Sequence, residues 1–263
     1  MYRRILASAL LIGVGFTTNP SAAADGKIKE IQDRGVMRIC FADSVPSSYK
    51  DPQTGKWVGF NVDMSELVAQ ELGVKTEYVD STWSTVIVSL QTGKCDVVMA
   101  GLSRGAKRAA AVLFINPYHV NTLSAVTRSD SPIKTYADID NPNVTVAVTA
   151  GSNEESYLKA NTAASVHSLV TDKLSNIFFE VATGRADAAM TDTITVRNFL
   201  AEGNQLKLRE VDDKPVLPKG SSWAVAPGEY QFQQFLNVFL EIAEATGAKG
   251  KLYAKWYAKK ETH

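Results

Sequence analysis

Residues Ala100–Phe114 have the sequence AGLSRGAKRAAAVLF, and this stretch indicates both the fold and a binding site. It follows an apolar run, Asp96–Met99, that is typical of a buried strand, and it leads into an alanine-rich segment that predicts a helix. A strand that turns into a helix through Gly101 and Ser103 leaves free backbone N–H groups, which attract anions. Arg108, one turn later, can donate two hydrogen bonds to a carboxylate. The stretch predicts a carboxylate site, although a solvated arginine on an ordinary helix start has the same pattern.

The composition is that of an ordinary folded protein. The chain has 263 residues, of which 45% are hydrophobic and 21% charged, and its formal net charge is +0. This length suits one large or two smaller domains. Because there is no basic excess, we expect no nucleic-acid partner. The two cysteines and three histidines show no metal-ligand spacing, so we expect neither a metal nor a cofactor.

The first 24 residues differ from the rest of the chain. A basic start is followed by an apolar run, Ile5–Phe16, that is too short to span a bilayer. Ala22 and Ala24 then stand in the A-x-A spacing of a cleavage site. We therefore predict that residues 1–24 are a secretory signal peptide, cut after Ala24, and that the mature protein is periplasmic.

Export makes a disulfide bond possible for the two cysteines of the mature chain. Cys40 and Cys95 each lie in or beside a predicted strand, and the two strands could be neighbours in one parallel sheet. A disulfide and two separate buried thiols both fit the sequence, because the sequence does not supply the separation of the two Cα atoms.

From Lys27 onward, short apolar runs alternate with segments of helical period. This rhythm predicts an α/β fold of parallel strands with helical crossovers. It breaks near Asn116–Tyr118 and restarts at Val144–Val148, so the chain contains two similar halves. We predict two lobes, each a mostly parallel sheet with flanking helices: residues 25–120 plus 223–263 form lobe one, and residues 121–222 form lobe two. Strands that cross near Val120 and Trp223 would form the hinge.

Further candidate residues lie at strand ends and helix starts, where ligands of open α/β sheets bind. Ser152 and Asn153 open a predicted helix, so Ser152 is either a plain N-cap or also a ligand contact. Asp192 ends an apolar strand, where its carboxylate could cap the next helix or neutralise an ammonium group. Asp43 and Ser47 follow the first strand, which is another position of this kind.

Trp83 is the aromatic candidate. It stands just before the predicted helix Ser84–Thr92. An indole at such a helix start can stack on the side chain of a ligand or can be ordinary packing, and the sequence leaves both interpretations open.

The chain resembles the periplasmic solute-binding proteins of ABC importers for polar amino acids, the family of the histidine-, lysine/arginine/ornithine- and glutamine-binding proteins. The runs that carry the resemblance cover most of the mature chain: GKWVGFNVDMSELVAQELGV (Gly55–Val74), LQTGKCDVVMAGLS (Leu90–Ser103), KRAAAVLFINPY (Lys107–Tyr118), VAVTAGSNEESY (Val146–Tyr157) and GRADAAMTD (Gly184–Asp192). The resemblance implies a type II periplasmic-binding-protein fold, whose two lobes close on an amino acid. It also implies a monomer that docks on a permease in the inner membrane.

The resemblance implies roles for individual residues. Arg108 matches the arginine that binds the α-carboxylate of the ligand, and Ser103 matches a hydroxyl or backbone partner of the ligand. Ser152 and Asn153 match second-lobe donors to the carboxylate. Asp192 matches the acid that binds the α-ammonium group.

The side-chain pocket is less closely matched. Trp83 falls where the family places a residue against the ligand side chain, and Asp43 where some members bind a polar or cationic one. Where the family usually has a threonine three residues before the arginine, this chain has Gly105, which offers only its backbone N–H. The residue just before it, usually apolar in the family, is Arg104. An aromatic residue of the first loop is replaced by Ser47. These departures predict a more polar pocket, or a ligand that is smaller or more acidic than histidine or glutamine.

Two other functions occur on the same fold. Exported cyclohexadienyl dehydratases resemble the chain around Met190–Asp192 but carry a glutamate three residues after the aspartate as proton donor. Here that position is Thr195, which has no useful acidity, so we expect a binding protein and not an enzyme. Sensory input domains are usually fused to a membrane helix and a signalling module. The chain after Lys259 holds neither, so a sensor would need a separate receptor.

Overall fold

The structure is a computed structural model that describes residues 26–201, 205–212 and 214–257. The predicted signal peptide and its cleavage after Ala24 lie outside the described residues. None of the helices within these three ranges combines the length and the hydropathy that spanning a membrane requires.

Strands and helices alternate along the described residues, as the sequence predicts. The strands are β1 Val36–Phe41, β2 Tyr49–Lys50, β3 Trp57–Val58, β4 Lys75–Asp80, β5 Val97–Ser103, β6 Leu113–Phe114, β7 His119–Arg128, β8 Thr145–Thr149, β9 Ser165–Leu169, β10 Ala188–Asp192, β11 Leu208–Glu210 and β12 Val216–Val225. The helices are α1 Lys27–Arg34, α2 Phe60–Leu72, α3 Val86–Gln91, α4 Ala106–Ala109, α5 Tyr136–Ile139, α6 Asn153–Asn161, α7 Asn176–Ala182, α8 Thr193–Ala201, α9 Tyr230–Ala245 and α10 Ala248–Tyr257.

One large sheet runs through the molecule in the order β4-β1-β5-β12-β7-β10-β8-β9, with β6 attached to β12 and β11 attached to β7. Strands β4, β1 and β5 are parallel to one another, and so are β10, β8 and β9. Strands β12 and β7 join these two parallel groups through antiparallel pairs. The architecture is the predicted α/β fold of two lobes. We call the β4-β1-β5 side lobe one and the β10-β8-β9 side lobe two.

The two hinge strands, β7 and β12, are antiparallel to each other and, with 10 residues each, are the longest strands of the described sheet. Strand β12 pairs Val225 with Val97 of lobe one and Gly220 with Val120 of β7. Its register shifts twice along its length, and such irregularities bend a strand. The predicted crossing points at Val120 and Trp223 lie within these two strands. Their pairing joins the two lobes through hydrogen-bonded strands.

Each lobe has its own apolar core. In lobe one, α1, α2 and α9 pack on the sheet and α10 packs on α2 and α9, around the fully buried side chains of Phe60, Met64 and Trp223. In lobe two, α7 packs on β8 and β10, with Ile177 and Phe178 fully buried. Burial of apolar area at about 25 cal/mol per Å² stabilises each lobe separately.

Two helix ends show how the sequence fixes local structure. Helix α1 stops at Gly35 and helix α2 stops at Gly73, both with left-handed backbones of φ 69° and φ 71°. Glycine adopts this conformation without the steric penalty of a Cβ atom. Both helices therefore end at a glycine that the sequence shows directly after the last helical residue.

The two cysteines form a disulfide bond. Cys40 in β1 and Cys95, two residues before β5, have Cα atoms 5.6 Å apart, and both side chains are buried. Strands β1 and β5 are parallel neighbours, which is what places the two side chains together. The sequence left two separate thiols open as an alternative, and the structure resolves it in favour of the bond.

The alanine-rich segment after Gly105 is helical for one turn only. Helix α4 ends at Ala109, and Leu113–Phe114 instead pair with β12 as strand β6. Alanine favours a longer helix, but strand pairing prevails because it buries Phe114 against the sheet. Strand β5 also continues past its predicted end at Met99 as far as Ser103.

Candidate functional site

A small polar cavity lies between the two lobes, at the strand ends of both. Its volume is about 20 Å³, which is room for one or two water molecules. The residues that line it come from β5, α4 and the α3 start in lobe one, and from β8, α6, β10 and the α7 start in lobe two: Trp83, Gly101, Ser103, Arg108, Thr149, Ser152, Asn153, Glu154, Leu174, Met190, Thr191 and Asp192.

Seven of the ten residues that the sequence singles out line this cavity. They are Trp83, Gly101, Ser103, Arg108, Ser152, Asn153 and Asp192. They come from five separate segments of the chain, and they meet because each segment follows a strand of the same sheet or opens a helix. Their contacts with a ligand remain a prediction.

Arg108 is the cation of the cavity wall. Its Nη1 donates to the carbonyl oxygen of Ser103 at 3.1 Å, and its Nη2 donates to the carbonyl oxygen of Gly151 at 2.8 Å. Burial lowers the pKa of Arg108, while Glu154 and Asp192 act in the opposite direction. A guanidinium stays protonated in proteins, and carbonyl partners leave its full charge available to a carboxylate.

Asp192 is an acid across the cavity from Arg108. Its Oδ1 is cut off from solvent and has no hydrogen-bond partner among the described residues. Burial and the nearby Glu154 raise the pKa of Asp192 well above its ordinary value, and Arg108 opposes this. Thr149 Oγ1 on the same wall also lacks a partner in the described structure. Because buried polar atoms are nearly always hydrogen-bonded, these two indicate a polar ligand.

The start of α6 forms the rim of the cavity in lobe two. Ser152 Oγ accepts a hydrogen bond from the backbone N–H of Glu155 at 3.1 Å, so Ser152 is an N-cap. Glu155 reaches back to the backbone N–H of Gly151 at 2.6 Å. A hydroxyl that accepts one bond can still donate another. Ser152 can therefore cap the helix and donate to a ligand.

Gly101 positions the end of β5 under the cavity. Its φ is +73°, and a Cβ atom on it would lie 2.8 Å from Tyr118 Oη. Tyr118 Oη is fixed by Nδ2 of Asn61 at 3.0 Å, and Oδ1 of Asn61 accepts from Trp223 Nε1 at 2.9 Å. This buried network holds the floor of the site rigid.

Among the described residues, three hydrogen bonds join the lobes around the cavity. One is the bond from Arg108 to Gly151 described above. In the second, Asp43 Oδ2 accepts from the backbone N–H of Leu174 at 2.9 Å, and in the third Thr195 Oγ1 donates to Val45 O at 3.1 Å. The structure therefore shows the lobes closed on each other.

Asp43, Ser47 and Gly105 do not line the cavity. Asp43 makes the contact between the lobes just given, and its backbone carbonyl accepts from Trp83 Nε1 at 3.0 Å. Ser47 Oγ is 2.7 Å from Tyr257 Oη, in lobe one behind the cavity. Gly105 precedes α4 in extended backbone with open space around it. Asp43 therefore takes part in the contact between the lobes, and Ser47 in a contact within lobe one.

Residues 37–259 match the family model of bacterial extracellular solute-binding proteins, family 3. The chain belongs to this family. The match runs through both lobes and both hinge strands, so the two-lobed fold and the family agree over the described chain.

Individual relatives of this solute-binding protein include both binding proteins and an enzyme. It is 27% identical to cyclohexadienyl dehydratase of Pseudomonas aeruginosa over 89% of this chain and 87% of the relative. It is 26% identical to the arginine-binding extracellular protein ArtP of Bacillus subtilis over 82% of this chain and 83% of the relative. Other relatives are named as amino-acid-binding components of ABC transporters.

Solved structures agree with the fold. The crystal structure of an ancestral amino acid-binding protein, a precursor of cyclohexadienyl dehydratase, matches with a TM-score of 0.80 and 32% identity over 88% of this chain and 100% of that chain. A match at this identity and coverage extends through both lobes of the solute-binding protein.

Sequence reasoning missed five residues of the cavity wall: Thr149, Glu154, Leu174, Met190 and Thr191. Glu154 is the most consequential, because its side chain is acidic and Glu154 is only 7% exposed. A signal was present, since the capping motif accounts for Glu155 and leaves Glu154 without a role. In the described part of this solute-binding protein, no three His, Cys, Asp or Glu side chains gather as they would around a metal ion.

Proposed function

We propose that this protein is the exported substrate-binding component of an ABC-type amino-acid importer. The observation that carries the proposal is the pairing of Arg108 and Asp192 across one buried cavity. A guanidinium and a carboxylate on opposite walls are complementary to the two charged ends of an amino acid. The family and the relatives named as amino-acid-binding components support it.

Each residue of the cavity has a task in this proposal. Arg108 binds the α-carboxylate, and Ser103 adds a hydroxyl or backbone contact from the same lobe. Ser152 and Asn153 at the start of α6 donate to the carboxylate from lobe two, where the helix N-terminus favours an anion. Asp192 accepts from the α-ammonium group. Trp83 lies beside the ligand side chain.

Closure of the lobes is the response to the ligand. A cavity of about 20 Å³ is too small for an amino acid, so the ligand binds when the lobes are further apart and they then close on it. The ligand favours the closed form by the contacts that it makes with both lobes. We propose residues 25–120 plus 223–263 and residues 121–222 as the moving bodies, with β7 and β12 as the hinge.

The cellular setting follows from the same proposal. Residues 1–24 direct export and are removed after Ala24, which places the mature monomer in the periplasm. The closed form docks on a permease in the inner membrane. The chemistry is binding alone, with no covalent step and no cofactor.

A dehydratase is the second candidate, because cyclohexadienyl dehydratase is among the relatives. The position of its proton donor is Thr195 here, whose hydroxyl is buried and donates to the Val45 carbonyl oxygen. A threonine has no titratable group near neutral pH, so it cannot serve as a general acid. Turnover of prephenate or arogenate by the purified protein would favour the enzyme, and its absence the binding protein.

Thermal melting tests the proposal directly. Mature protein is unfolded and refolded to remove bound ligand, and its melting temperature is measured with each common amino acid and with small carboxylates. A ligand of the native state raises the midpoint by mass action. A clear rise with an amino-acid class supports the proposal. A rise only with compounds that lack an ammonium group would contradict it.

A further inference from the structure

The hydrogen bonds behind the cavity have a fixed direction. Trp223 Nε1 donates to Asn61 Oδ1 at 2.9 Å, and Asn61 Nδ2 donates to Tyr118 Oη at 3.0 Å. An indole N–H can only donate, so it places the amide oxygen of Asn61 on the side of Trp223 and the amide nitrogen on the side of Tyr118. Tyr118 Oη therefore accepts in this chain of bonds, and its hydroxyl hydrogen is left for another partner.

This hydrogen needs an acceptor, because Tyr118 lies in the interior. Tyr118 is only 5% exposed, and among the described residues Asn61 is the one hydrogen-bond partner of its hydroxyl. The backbone N–H of Tyr118 donates to the carbonyl oxygen of Ser221 in β12 at 3.1 Å, which fixes the residue on the hinge strand. Buried polar groups are nearly always hydrogen-bonded. An acceptor near this fixed position would complete the network.

Gly101 separates this hydroxyl from the cavity. Gly101 lines the cavity, and a Cβ atom on it would lie 2.8 Å from Tyr118 Oη, so any larger residue would crowd the hydroxyl. Tyr118 itself does not line the cavity. A contact between the hydroxyl and the cavity wall therefore needs a small bridging group. A water molecule has the right size, because the cavity volume of about 20 Å³ holds one or two.

Asp192 supplies an acceptor in the cavity. Its Oδ1 is cut off from solvent and has no hydrogen-bond partner in the described chain. Asp192 acts electrostatically on Tyr118, so the two groups are near each other. Thr149, on the cavity wall and only 3% exposed, has an Oγ1 that also lacks a partner within the described ranges. A water that accepts from Tyr118 and donates to the other two would have three polar partners, which is typical of buried water.

We infer that Tyr118 is a positioning residue of the binding site: through a water molecule at the cavity floor, its hydroxyl orients the Asp192 carboxylate and favours its ionised form. The inference rests on the proposed function, in which ionised Asp192 binds the α-ammonium group of an amino acid. Tyr118 packs in the core of lobe one, and Asp192 ends strand β10 of lobe two. The bridge therefore also favours the closed form.

The competing explanation is that Tyr118 only fills the core. Its ring stacks on Phe60 with 5.5 Å between ring centroids, and it packs against Trp223 at the same centroid distance. In that case the loss of the hydroxyl would change ligand affinity by the same factor at every pH. A hydroxyl that acts on Asp192 would instead change the pH dependence of binding, because a hydrogen bond to a carboxylate favours its charged form.

Other groups near Asp192 are the same in both explanations. Glu154 and Arg108 act on the pKa of Asp192. Tyr257 is a second phenol on which Asp192 acts, and its hydroxyl is 2.7 Å from Ser47 Oγ. Since Tyr118→Phe leaves these groups in place, a changed pH dependence in that variant reports the hydroxyl of Tyr118.

Calorimetry at a series of pH values, with the common amino acid that most raises the melting temperature of the wild-type protein, is the experiment. At neutral pH we expect Tyr118→Phe to bind about 3- to 10-fold more weakly, which is the range for one hydrogen bond. Its affinity should also begin to fall at a higher pH than in wild type, because loss of the donor raises the pKa of Asp192. Wild-type binding, or binding that is weaker by one factor at every pH, would overturn the inference.

Tyr136→Phe is the matched control. The hydroxyl of Tyr136 is half-buried and donates to the carbonyl oxygen of Leu123 at 3.3 Å, and neither residue lines the cavity. This variant also loses one phenol hydroxyl and should keep the affinity and the pH profile of wild type. A pH profile that shifts equally in both variants would show that the effect is not specific to Tyr118, and would overturn the inference.

A crystal structure of the wild-type complex tests the bridge without a variant, so the test stands even if Tyr118→Phe fails to fold. We expect a water molecule within about 2.7–3.2 Å of both Tyr118 Oη and an Asp192 carboxylate oxygen. A Tyr118 hydroxyl that donates to a protein carbonyl instead would overturn the inference.

The melting experiment separates failure of this inference from failure of the proposed function. If an amino acid binds and Tyr118→Phe has the wild-type pH profile, the importer proposal stands and the role of Tyr118 is wrong. If no amino acid binds, the proposed function itself fails and this inference fails with it.

Discussion

The guanidinium of Arg108 in lobe one donates to the carbonyl oxygen of Gly151 in lobe two at 2.8 Å, across 43 residues of sequence. The group proposed to bind the ligand carboxylate is therefore also a bond between the lobes. Ligand binding and closure share this side chain, so substitutions here affect both, and substitutions elsewhere can separate them.

Arg108→Ala should weaken ligand binding by about 2–5 kcal/mol, because it removes one partner of a buried charge pair. Calorimetry against the best ligand measures the loss. Arg104→Ala is the control, since Arg104 is four residues away, exposed and equally charged. Near-wild-type affinity in Arg108→Ala would show that the carboxylate lies elsewhere.

Asp192→Asn should stabilise the ligand-free protein at neutral pH while it reduces ligand-induced stabilisation. The folded pKa of Asp192 is raised above its unfolded value by burial and by Glu154. Its contribution to stability is thus fully present below the unfolded pKa of about 4 and is lost as pH rises through the raised folded pKa. Asparagine avoids that loss.

Melting temperatures at neutral and at acidic pH check this expectation. About 1 kcal/mol moves the midpoint by about 2–4 °C in a domain of about 150–250 residues. The advantage of Asp192→Asn should shrink as the pH falls. The exposed residue Asp130 provides the control variant Asp130→Asn. If Asp192→Asn is less stable than wild type at neutral pH, a partner stabilises the carboxylate by more than burial destabilises it.

Ligand affinity should fall as the pH decreases, starting at a higher pH than an ordinary aspartate would cause. The ammonium group binds the ionised form of Asp192, whose pKa is raised. The groups that act on the pKa of Asp192 are Glu154 and Arg108. Burial raises the pKa of Tyr118 and of Tyr257 and keeps both neutral. Calorimetry at a series of pH values from neutral to acidic, in wild type and in Asp192→Asn, separates the contribution of Asp192. The same slope in both proteins would assign the effect to another group.

Gly151→Ala should block closure and reduce binding while each lobe stays folded. The φ of Gly151 is +76°, and a Cβ atom on it would lie 2.7 Å from the Cα of Ser84 in lobe one. Small-angle scattering with ligand should show a larger radius than wild type. Gly184→Ala is a close control, because Gly184 has the same φ of +76° with nothing within 4 Å. If both variants bind alike, backbone strain and not contact between the lobes is the cause.

Replacing Cys40 and Cys95 together by alanine should lower the free energy of unfolding by about 2–4 kcal/mol, as for other native disulfides. Both residues lie in lobe one, away from the cavity wall. Denaturant unfolding measures the change, and ligand affinity at low temperature should stay at the wild-type level. A large loss of affinity in the folded double variant would show that the disulfide bond influences ligand binding.

Much of the fold follows from local patterns in the sequence. Apolar runs predict the strands, glycines such as Gly35 and Gly73 predict helix ends, and the break after Phe114 predicts two lobes. The gathering of Arg108 and Asp192 was also predictable, because both follow strands whose ends meet in this fold. Each of these strands, helix ends and strand-end residues can be recognised from its neighbours in the sequence.

What the sequence did not supply depends on partners far away. The pairing of Cys40 with Cys95 needed a distance between neighbouring strands. The early end of α4 depends on strand pairing with β12, more than 100 residues later. Asp43, predicted as a ligand contact, has its partner Leu174 131 residues away. Glu154 was missed because a local cap explained its neighbours.

The hydrogen bond from Thr195 to Val45 joins the lobes through two residues that do not line the cavity. Because this bond does not touch whatever is bound, a change in it scales the uptake of every nutrient by the same factor. Residues of the cavity wall, in contrast, change the order of preference among nutrients. Substitutions at this contact can therefore change the ligand concentration at which the protein is half-saturated without changing which ligands it prefers.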